Sequence, residues 1–376
     1  MKLTIERANL LKTLSHVQSV VERRTTIPIL SNVLLRAEPG VLRLTATDMD
    51  MEIVESVAAD VAVPGAATAP AHVLYEIARK LPDGAQVEID GTGEGQALQL
   101  SAGRSRFRLG SLPVEDFPSM SEGEMPTRFS LAPGDLRLLI DRTRFAISTE
   151  ETRYYLNGIF FHATTTEDKM PVLRAVATDG HRLARIQMTL PSGAETMPDV
   201  IVPRKTVQEL RKLLDEATDS VTISLSASKI RVATDGIMLT SKLIDGTFPD
   251  YERVIPANND KTMEVEAKSL AEAVDRVATI ATEKSRAVKL SVTAGEPGTL
   301  TLMASNTEQG LATEELEVSY SASDLEIGFN ARYLLDITQQ IDGDAAQFSM
   351  FDAASPTVVR DMSDSSALYV LMPMRV

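Results

Sequence analysis

The sequence predicts an α+β protein of three topologically similar domains, because one order of strands and helices recurs three times along its 376 residues. Each copy opens with a short strand and an amphipathic helix, in which Leu10, Leu136 and Leu270 hold the same place at spacings of 126 and 134 residues. A second helix and a polar turn also recur. Their matching residues are Ile77, Leu210 and Ile337 in the helix, and Asp48, Asp179 and Asn306 in the turn.

The elements follow the same order in each copy. The first strand and helix lie in KLTIERANLLKTLSHVQSVVE from Lys2, RFSLAPGDLRLLIDRTRFAIS from Arg128 and TMEVEAKSLAEAVDRVATIAT from Thr262. Further strands are predicted in IPILSNVLLRA and YYLNGIFFHAT. The second helix lies in PAHVLYEIARKLPDG, PRKTVQELRKLLDEA and NARYLLDITQQIDGD, and is followed by the strands AQVEID, DSVTIS and AAQFSM. Polar links at 121–128 and 255–262 divide the chain into predicted domains 1–124, 125–257 and 258–376.

Composition excludes several classes of protein. The chain has no cysteine, which rules out disulfides and thiolate metal sites and fits a reducing compartment. Charges at Lys2, Glu6, Arg7 and Lys12 interrupt the place where a signal peptide needs an apolar core. No apolar run approaches the roughly 20 residues that span a bilayer. The sequence therefore predicts a cytoplasmic protein without a membrane partner.

The net charge of −15 argues against a protein that coats nucleic acid, because DNA binders usually carry a basic face. Basic residues nevertheless concentrate in the helical segments, while acidic ones concentrate in 48–60 and 308–326. This separation predicts a basic lining inside an acidic shell; solvated helix faces are the alternative. The basic residues are Lys12, Arg23, Arg24, Arg79, Lys80, Arg137, Arg142, Arg144, Arg204, Lys205, Arg211, Lys212, Arg276, Lys284 and Arg332.

Three similar domains suggest an arc that a head-to-tail dimer would close into a ring. Two helices per copy give twelve per dimer, and axes about 10 Å apart leave a hole of about 28 Å. Six helices would leave about 9 Å, less than the roughly 12 Å width of a DNA major groove. Only the dimer could therefore encircle a duplex.

No motif predicts a metal, a cofactor or a nucleophile. The histidines, His16, His72, His162 and His181, do not pair at metal-ligand spacing. GTGEG at 91–95 is predicted to be a hairpin loop rather than a phosphate site, and no GxSxG elbow occurs.

ATDGHRLA, at 177–184, places Asp179, His181 and Arg182 within four residues, as an active site might. An Asp-Gly pair between apolar runs instead favours a hairpin turn of type I′, with positive φ at both central residues. ATDG recurs at 233–236 without a following histidine. The turn is therefore the preferred interpretation, with His181, Arg182 and Leu183 free to form a surface.

The sequence resembles a known family, the bacterial sliding clamps that are the β subunits of DNA polymerase III. The resemblance runs along essentially the whole chain, and its markers are IPILSNVLL, RYYLNGIFF, VATDGHRLA, VIVPRK, SKLIDGTFPDYERVIP, EIGFN and YVLMPMRV. It implies three domains per chain, a head-to-tail dimeric ring around duplex DNA and no catalytic activity. It also implies a clamp loader that opens the ring using ATP, and polymerases that are tethered through short clamp-binding peptides.

The resemblance also implies roles for individual residues. DNA contacts correspond to Arg24, His72, Glu150, Arg153, Tyr154 and Tyr155. His72 stands where well-known members have arginine, so a weaker contact with DNA is expected there. Glu150 stands where they have glutamine, so repulsion of DNA is expected there. The peptide-binding cleft corresponds to Leu156, Thr178, Gly180, His181, Arg182, Leu183, Pro249, Arg253, Val254, Val370, Met372, Pro373, Met374 and Arg375. The dimer contact corresponds to Phe107 and Ile280.

Three functions are weighed on these residues. The leading one is a processivity clamp that works by closing a ring. The second is a three-domain peptide-binding scaffold that never encircles DNA. The third is an enzyme, such as a hydrolase, that uses Asp179, His181 and Arg182, although no nucleophile or metal motif supports it.

Overall fold

The predicted succession of strand, helix, strands, helix and strand is present three times in a computed structural model that describes residues 1–92, 97–120, 123–281 and 286–375. Within these residues the α-helices are α1 (Arg7–Val17), α2 (Ala71–Lys80), α3 (Pro133–Asp141), α4 (Arg204–Glu216), α5 (Ala267–Ala278) and α6 (Ala331–Thr338). Short 3₁₀ helices lie at Pro28–Ser31, Val114–Asp116, Arg144–Ala146, Glu151–Leu156 and Tyr251–Val254. The α+β class predicted from the sequence is confirmed.

The strands fill the chain between the helices. In the first third they are β1 (Lys2–Glu6), β2 (Asn32–Glu38), β3 (Val41–Thr47), β4 (Met51–Ala58), β5 (Asp60–Val63), β6 (Gly65–Pro70), β7 (Gln86–Asp90), β8 (Ala97–Ala102) and β9 (Ser105–Gly110). In the middle third they are β10 (Thr127–Leu131), β11 (Gly158–Thr165), β12 (Pro171–Thr178), β13 (Arg182–Thr189), β14 (Val200–Pro203), β15 (Val221–Leu225), β16 (Lys229–Thr234) and β17 (Ile237–Lys242). In the last third they are β18 (Lys261–Glu266), β19 (Ala287–Thr293), β20 (Gly295–Asn306), β21 (Gly310–Tyr320), β22 (Leu325–Asn330), β23 (Ala345–Met350), β24 (Thr357–Asp361) and β25 (Ala367–Leu371).

The three copies pair their strands in the same way. In each, the opening strand runs antiparallel to the strand that follows the second helix, as β1 with β7, β10 with β15, and β18 with β23. The anchor leucines of the first helices, Leu10, Leu136 and Leu270, are all buried. In α5, Leu270, Val274 and Val277 form a buried stripe at helical spacing. The repeat read from the sequence is therefore a repeat of structure.

The described chain divides into two compact units, each of which takes part of the middle repeat. Unit 1 comprises Met1–Arg137, Pro191–Pro198 and Lys205–Leu243, and unit 2 comprises Leu138–Leu190, Asp199–Arg204 and Ile244–Val376. Unit 1 holds a sheet β5-β1-β7-β8-β9 and a sheet β10-β15-β16-β17-β4-β3-β2-β6. Unit 2 holds one sheet, β14-β11-β12-β13-β25-β24-β23-β18-β21-β20-β19-β22. The division follows the sheets, because strands of neighbouring repeats pair in each unit, β4 with β17 and β13 with β25.

Two predicted strand runs begin later than the sequence pattern indicated. IPILSNVLLRA opens with the 3₁₀ turn Pro28–Ser31 before β2, and YYLNGIFFHAT opens inside the 3₁₀ turn Glu151–Leu156 before β11. Pro28 lacks the N–H that a strand ladder uses, which explains the first case. The predicted loop 91–95 and linker 121–128 fall partly on residues outside the described ranges, as does Lys284. None of the helices in the described part of the chain has the length and apolar character that crossing a bilayer requires.

Candidate functional site

A buried apolar cluster in unit 2 forms the floor of the candidate site. It consists of Leu156, Val176, Leu183, Ile201, Phe248, Tyr251, Val358, Leu368 and Val370, with Tyr155, Phe160, Ile244 and Ile255 packed against it. The rings of Phe160 and Phe248 stack with centroids 4.7 Å apart. Phe248 and Tyr251 belong to the marker SKLIDGTFPDYERVIP, but no sequence pattern predicted that they would pack beneath the other site residues.

Strand register explains why these residues share one face of the sheet. Leu183 of β13 pairs with Thr178 of β12 on one side and with Val370 of β25 on the other. Val370 in turn pairs with Val358 of β24. Residues directly opposite one another on neighbouring strands point to the same face, so these four side chains form one row across the sheet. This row brings together predicted cleft residues from distant parts of the sequence.

Exposed apolar side chains border that row. Val254 is 50% exposed and Met372 39%, while Pro249 is also exposed. Arg253 is exposed as well, and its Nε lies 2.7 Å from Asp250 Oδ2. The C-terminal segment is held by its backbone, because the N–H of Met372 donates to the carbonyl of His181 over 2.9 Å. We call this surface, formed by the row and these border residues, the groove.

The rest of the predicted C-terminal cleft continues from Met372. Pro373 and Met374 are half-buried and Arg375 is exposed. The N–H of Met374 donates to the carbonyl of Gly328 over 2.7 Å. The tail therefore presents a mixed apolar and basic edge beside the groove.

The turn after β12 is stabilised by the side chain of Asp179. Its Oδ1 accepts the N–H groups of His181 at 2.9 Å and of Arg182 at 3.0 Å. Asp48 and Asn306 make the same pair of backbone hydrogen bonds in the other copies. The turn chemistry predicted for all three copies is therefore confirmed.

The predicted turn type at Asp179-Gly180 is wrong. Only Gly180 has positive φ, at 87°, so the turn is not type I′. The second ATDG does fit that type, since Asp235 and Gly236 have φ of 46° and 77°. Asp179 is instead held outside the left-handed region while its carboxylate caps the turn.

Arg182 is a buried structural residue, so its side chain is not part of the surface predicted for His181, Arg182 and Leu183. Its side chain is 8% exposed, and its guanidinium donates to Asp179 at 3.1 Å, to Asp336 at 2.5 Å and to the Phe145 carbonyl at 2.6 Å. It also stacks 4.3 Å from the Tyr333 ring centroid. The guanidinium is fully engaged, so it holds the turn that presents His181, which is exposed.

The segment Glu151–Leu156 carries the candidate tyrosines. Tyr154 is 53% exposed, whereas Tyr155 packs against the apolar cluster. Glu150 accepts two hydrogen bonds from Arg153, at 2.8 and 2.6 Å. This contact lowers the pKa of Glu150, which stays charged but paired. The ion pair offsets the charge of Glu150 with that of Arg153, and the effect of Glu150 on DNA contact stays a prediction.

A cavity of about 490 Å³ opens beside this segment in unit 2. Its lining includes Arg144, Arg204, Arg286 and Arg332, together with Tyr333 and His181. Arg144 pairs with Asp141 at 3.0 Å, but among the described residues no carboxylate lies within ion-pair distance of Arg204 or Arg332. Arg286 and Tyr333 were not predicted as site residues, because neither belongs to the set of basic residues on the helical segments.

Most of the other basic helical residues are already paired within the chain. The pairs are Lys12 with Glu216, Arg79 with Glu76, Arg137 with Asp215, Arg142 with Asp342, Lys205 with Asp48, Lys212 with Glu209, and Arg276 with Glu314. Arg142 is also buried. Ion pairs within the chain therefore offset part of the positive charge of these residues, and the basic lining stays a prediction.

Four predicted residues lie outside the groove. Arg24 is exposed in unit 1. His72 is half-buried there, with Nδ1 2.7 Å from Gln18 Oε1 and Nε2 3.1 Å from the Val21 carbonyl, so both ring nitrogens are engaged. Phe107 is half-buried on β9, and Ile280, in unit 2, is half-buried just after α5.

Comparison with known proteins gives the decisive observation. Three family models match in series, the N-terminal, central and C-terminal domains of the DNA polymerase III beta subunit, over residues 1–121, 130–250 and 252–375. The chain belongs to the DNA polymerase III beta subunit family. Its function is therefore that of a DNA sliding clamp, and this family is non-enzymatic, so the hydrolase alternative for Asp179, His181 and Arg182 is wrong.

Individual clamps match along the whole chain. The beta sliding clamp of Caulobacter vibrioides is 56% identical and that of Escherichia coli K12 is 40% identical, each with complete coverage of both chains. Among solved structures, a clamp from C. crescentus has a TM-score of 0.97 at 56% identity, with 100% of this chain and 99% of that chain covered. A clamp from Bartonella birtlesii bound to griselimycin has a TM-score of 0.96 at 48% identity, with both chains fully covered.

Proposed function

We propose that this clamp works as a head-to-tail homodimer of three-domain chains that encircles duplex DNA in the cytoplasm and tethers polymerases through the groove. The domains would be 1–124, 125–257 and 258–376, with a clamp loader opening the ring. The three consecutive family models support this division. Retention on DNA then comes from topology, with no bond made or broken by the protein.

Strand pairing between neighbouring repeats supports the dimer. β17 of the second repeat pairs with β4 of the first, and β25 of the third pairs with β13 of the second. By the same rule β9, the strand equivalent to β17 and β25, would pair with β21, the strand equivalent to β4 and β13. β9 is an edge strand, and β21 pairs with β18 only at Ser319, so most of its outer edge is open among the described residues. A second copy of the chain would fill both edges.

The register of that pairing follows from the equivalent pairs. Leu239 pairs with Ile53, and Tyr369 with Ala184. The same alignment places Phe107 opposite Leu311 of the other copy. Leu311 is 63% exposed in the single chain, so this pairing would bury an apolar side chain that now faces solvent.

Charge and position agree with this register. Arg104, just before β9, and Arg106 of β9 lie towards the end that would approach Glu314 and Glu315 of β21, of which Glu314 already pairs with Arg276. Ile280 lies at the same edge, since its carbonyl accepts from Asn306 at the end of β20. The predicted dimer residues Phe107 and Ile280 would therefore lie on the two sides of one contact.

We further propose that Arg24 of unit 1 contacts DNA, and that Arg153, Tyr154 and Tyr155 of unit 2 do so as well. An exposed tyrosine ring such as that of Tyr154 can stack on an unpaired base. The cavity arginines add positive charge near this segment. Glu150 would act through its ion pair with Arg153, and His72 would have to leave Gln18 or Val21 before it could reach a phosphate.

The groove is the proposed site for clamp-binding peptides, and the observation that carries it is the buried apolar row bordered by exposed Val254 and Met372. Apolar peptide side chains would pack on the row, and methionine adapts to varied ligands. His181 and Arg253 would hydrogen-bond the peptide at the edge. The C. crescentus structure holds a polyethylene glycol at a beta-motif tethering region of that clamp, which supports ligand binding at such a site within the family.

Val254→Asp combined with Met372→Asp should weaken binding of an apolar clamp-binding peptide at least about 30-fold, because two exposed apolar contacts are replaced by charge. The folded structure should be unaffected, since neither side chain is buried. Fluorescence anisotropy with a labelled peptide measures the change.

Met362→Asp is the matched control, since Met362 is 50% exposed in the same unit but lies outside the groove. It should bind the peptide like the unmodified protein. Equal affinity for all three proteins would exclude the groove as the peptide site.

A further inference from the structure

A second cavity in unit 2, of about 640 Å³, brings three arginines together. Arg174, Arg185 and Arg360 line it, with Glu167 and Glu252 as the only carboxylates in its lining. One wall is apolar and includes Ile255, Val358 and Leu368. We call the part of this cavity that is lined by Arg174, Arg185 and Arg360 the arginine pocket.

Register places this pocket directly beside the groove. Leu183 pairs with Val370, and two residues further along the same strands Arg185 pairs with Leu368. Residues two apart on a strand point to the same face about 6.6 Å from one another. Arg185 therefore lies on the same sheet face as the apolar row and one step along from it. Leu368 belongs to both the pocket wall and the buried cluster of the groove.

The three arginines differ in how they are paired. Arg174 is buried and donates to Glu252 at 2.6 Å, to the Tyr251 hydroxyl at 2.8 Å and to Gln187 at 3.0 Å. Arg185 Nε is buried without a hydrogen-bond partner. Across the described ranges, no carboxylate lies within ion-pair distance of Arg185 or Arg360.

The environment of Arg185 is unfavourable for its charge. Burial, with the nearby positive charges of Arg174 and Arg360, lowers the pKa of Arg185 to about 10, so the side chain remains charged at neutral pH. Buried charge without a partner is costly, and a bound anion would supply the missing hydrogen bonds. An arginine presents a planar set of donors that matches a carboxylate.

We propose that the arginine pocket receives the carboxylate of an acidic side chain on the peptide that occupies the groove. Arg185 and Arg360 donate to it, while Arg174 is held in place by Tyr251 and Glu252 and contributes charge. The apolar wall favours a peptide that continues from the groove over a free hydrated anion. This inference rests on the proposed function of the groove and adds a charge preference to it.

The test uses a set of peptides with the same apolar core. Each peptide carries one Glu or one Gln, placed at one of the four positions before the core or the four after it. At one position, Glu should bind about tenfold more tightly than Gln at low salt, as expected for a charge-assisted hydrogen bond. Arg185→Gln and Arg360→Gln should each remove most of this preference, by weakening binding of the Glu peptide much more than binding of the Gln peptide. Arg185→Lys should keep part of it, because the charge remains and the paired donors are lost.

Arg36→Gln is the control, since Arg36 is an exposed residue of β2 in unit 1 and its loss removes one positive charge elsewhere. It should keep the full preference for Glu. None of the described carboxylates loses an ion pair in Arg185→Gln, so this variant should stay folded. A thermal unfolding midpoint close to that of the unmodified protein would verify this.

The outcomes separate the two proposals. If the peptides bind but Glu and Gln are equal at every position, the arginine pocket has no such role and the groove stands. If a preference for Glu persists in both Gln variants, the carboxylate lies elsewhere and this inference is overturned. If no peptide binds the unmodified protein, the groove itself is wrong and the inference fails with it.

Discussion

Leu311→Asp is expected to separate the dimer into single chains. In the proposed register Leu311 packs against Phe107 of the other copy, and an unpaired carboxylate buried there would cost about 3 kcal/mol. A closed head-to-tail dimer contains this contact twice, so the loss adds to about 6 kcal/mol, roughly a 10⁴-fold rise in the dissociation constant. Analytical ultracentrifugation at micromolar concentration measures the change directly.

Met170→Asp is the matched control, because Met170 is 61% exposed in the same unit and lies outside the proposed interface. It should remain a dimer. Leu311→Asp remaining as tight a dimer as Met170→Asp would contradict the pairing of β9 with β21.

The register can be tested separately, since the chain has no cysteine of its own. A Phe107→Cys, Leu311→Cys variant should form a disulfide between copies on oxidation, because directly opposite residues fall within disulfide reach. Phe107→Cys with Thr313→Cys should not, since that pair would be about 8 Å apart between α-carbons.

Arg182→Met is expected to cause the largest loss of stability among the site variants. It leaves Asp179 and Asp336 without their shared partner and removes the donor to the Phe145 carbonyl. Breaking a buried ion pair by removing one member costs about 3–5 kcal/mol, and the lower figure applies because both carboxylates keep some solvent access. The free energy of unfolding should fall by about 3 kcal/mol, seen as a lower thermal midpoint for unit 2.

Lys289→Met provides the comparison, since it breaks an ion pair with Glu326 at 2.7 Å that lies mostly in solvent. Surface pairs contribute at most about 1 kcal/mol, so this variant should unfold close to the unmodified protein. Similar thermal unfolding midpoints for the two variants would show that the contacts of Arg182 contribute no more to stability than a surface ion pair.

The three-fold repeat could be read from the sequence because apolar spacing reports directly on buried helix faces. The polar turns were predictable for a related reason, since Asp and Asn at matched positions cap their own backbone. The turn type at Asp179-Gly180 was not predictable from the Asp-Gly pair alone, because the Asp179 side chain caps the N–H groups of His181 and Arg182 and only Gly180 takes a positive φ.

Residue type alone also failed to separate free arginines from paired ones. Arg142 and Arg204 both lie on helical segments of similar basic character, yet Arg142 is buried against Asp342 while Arg204 lines an open cavity. Leu311 was missed because it follows no motif; only its exposure and its place on an open strand edge single it out. Arg185 was missed because pairing across β12, β13 and β25 decides its neighbours.

The most direct test of the central claim is retention on circular DNA. Labelled protein is loaded onto nicked circles by a competent clamp loader with ATP, and the circle is then cut once. The account predicts stable retention before the cut and rapid loss after it, because a closed ring slides off a free end. Equal retention on circular and linear DNA would mean ordinary contact binding, and failure to load would favour a peptide-binding scaffold; either result would contradict the clamp mechanism.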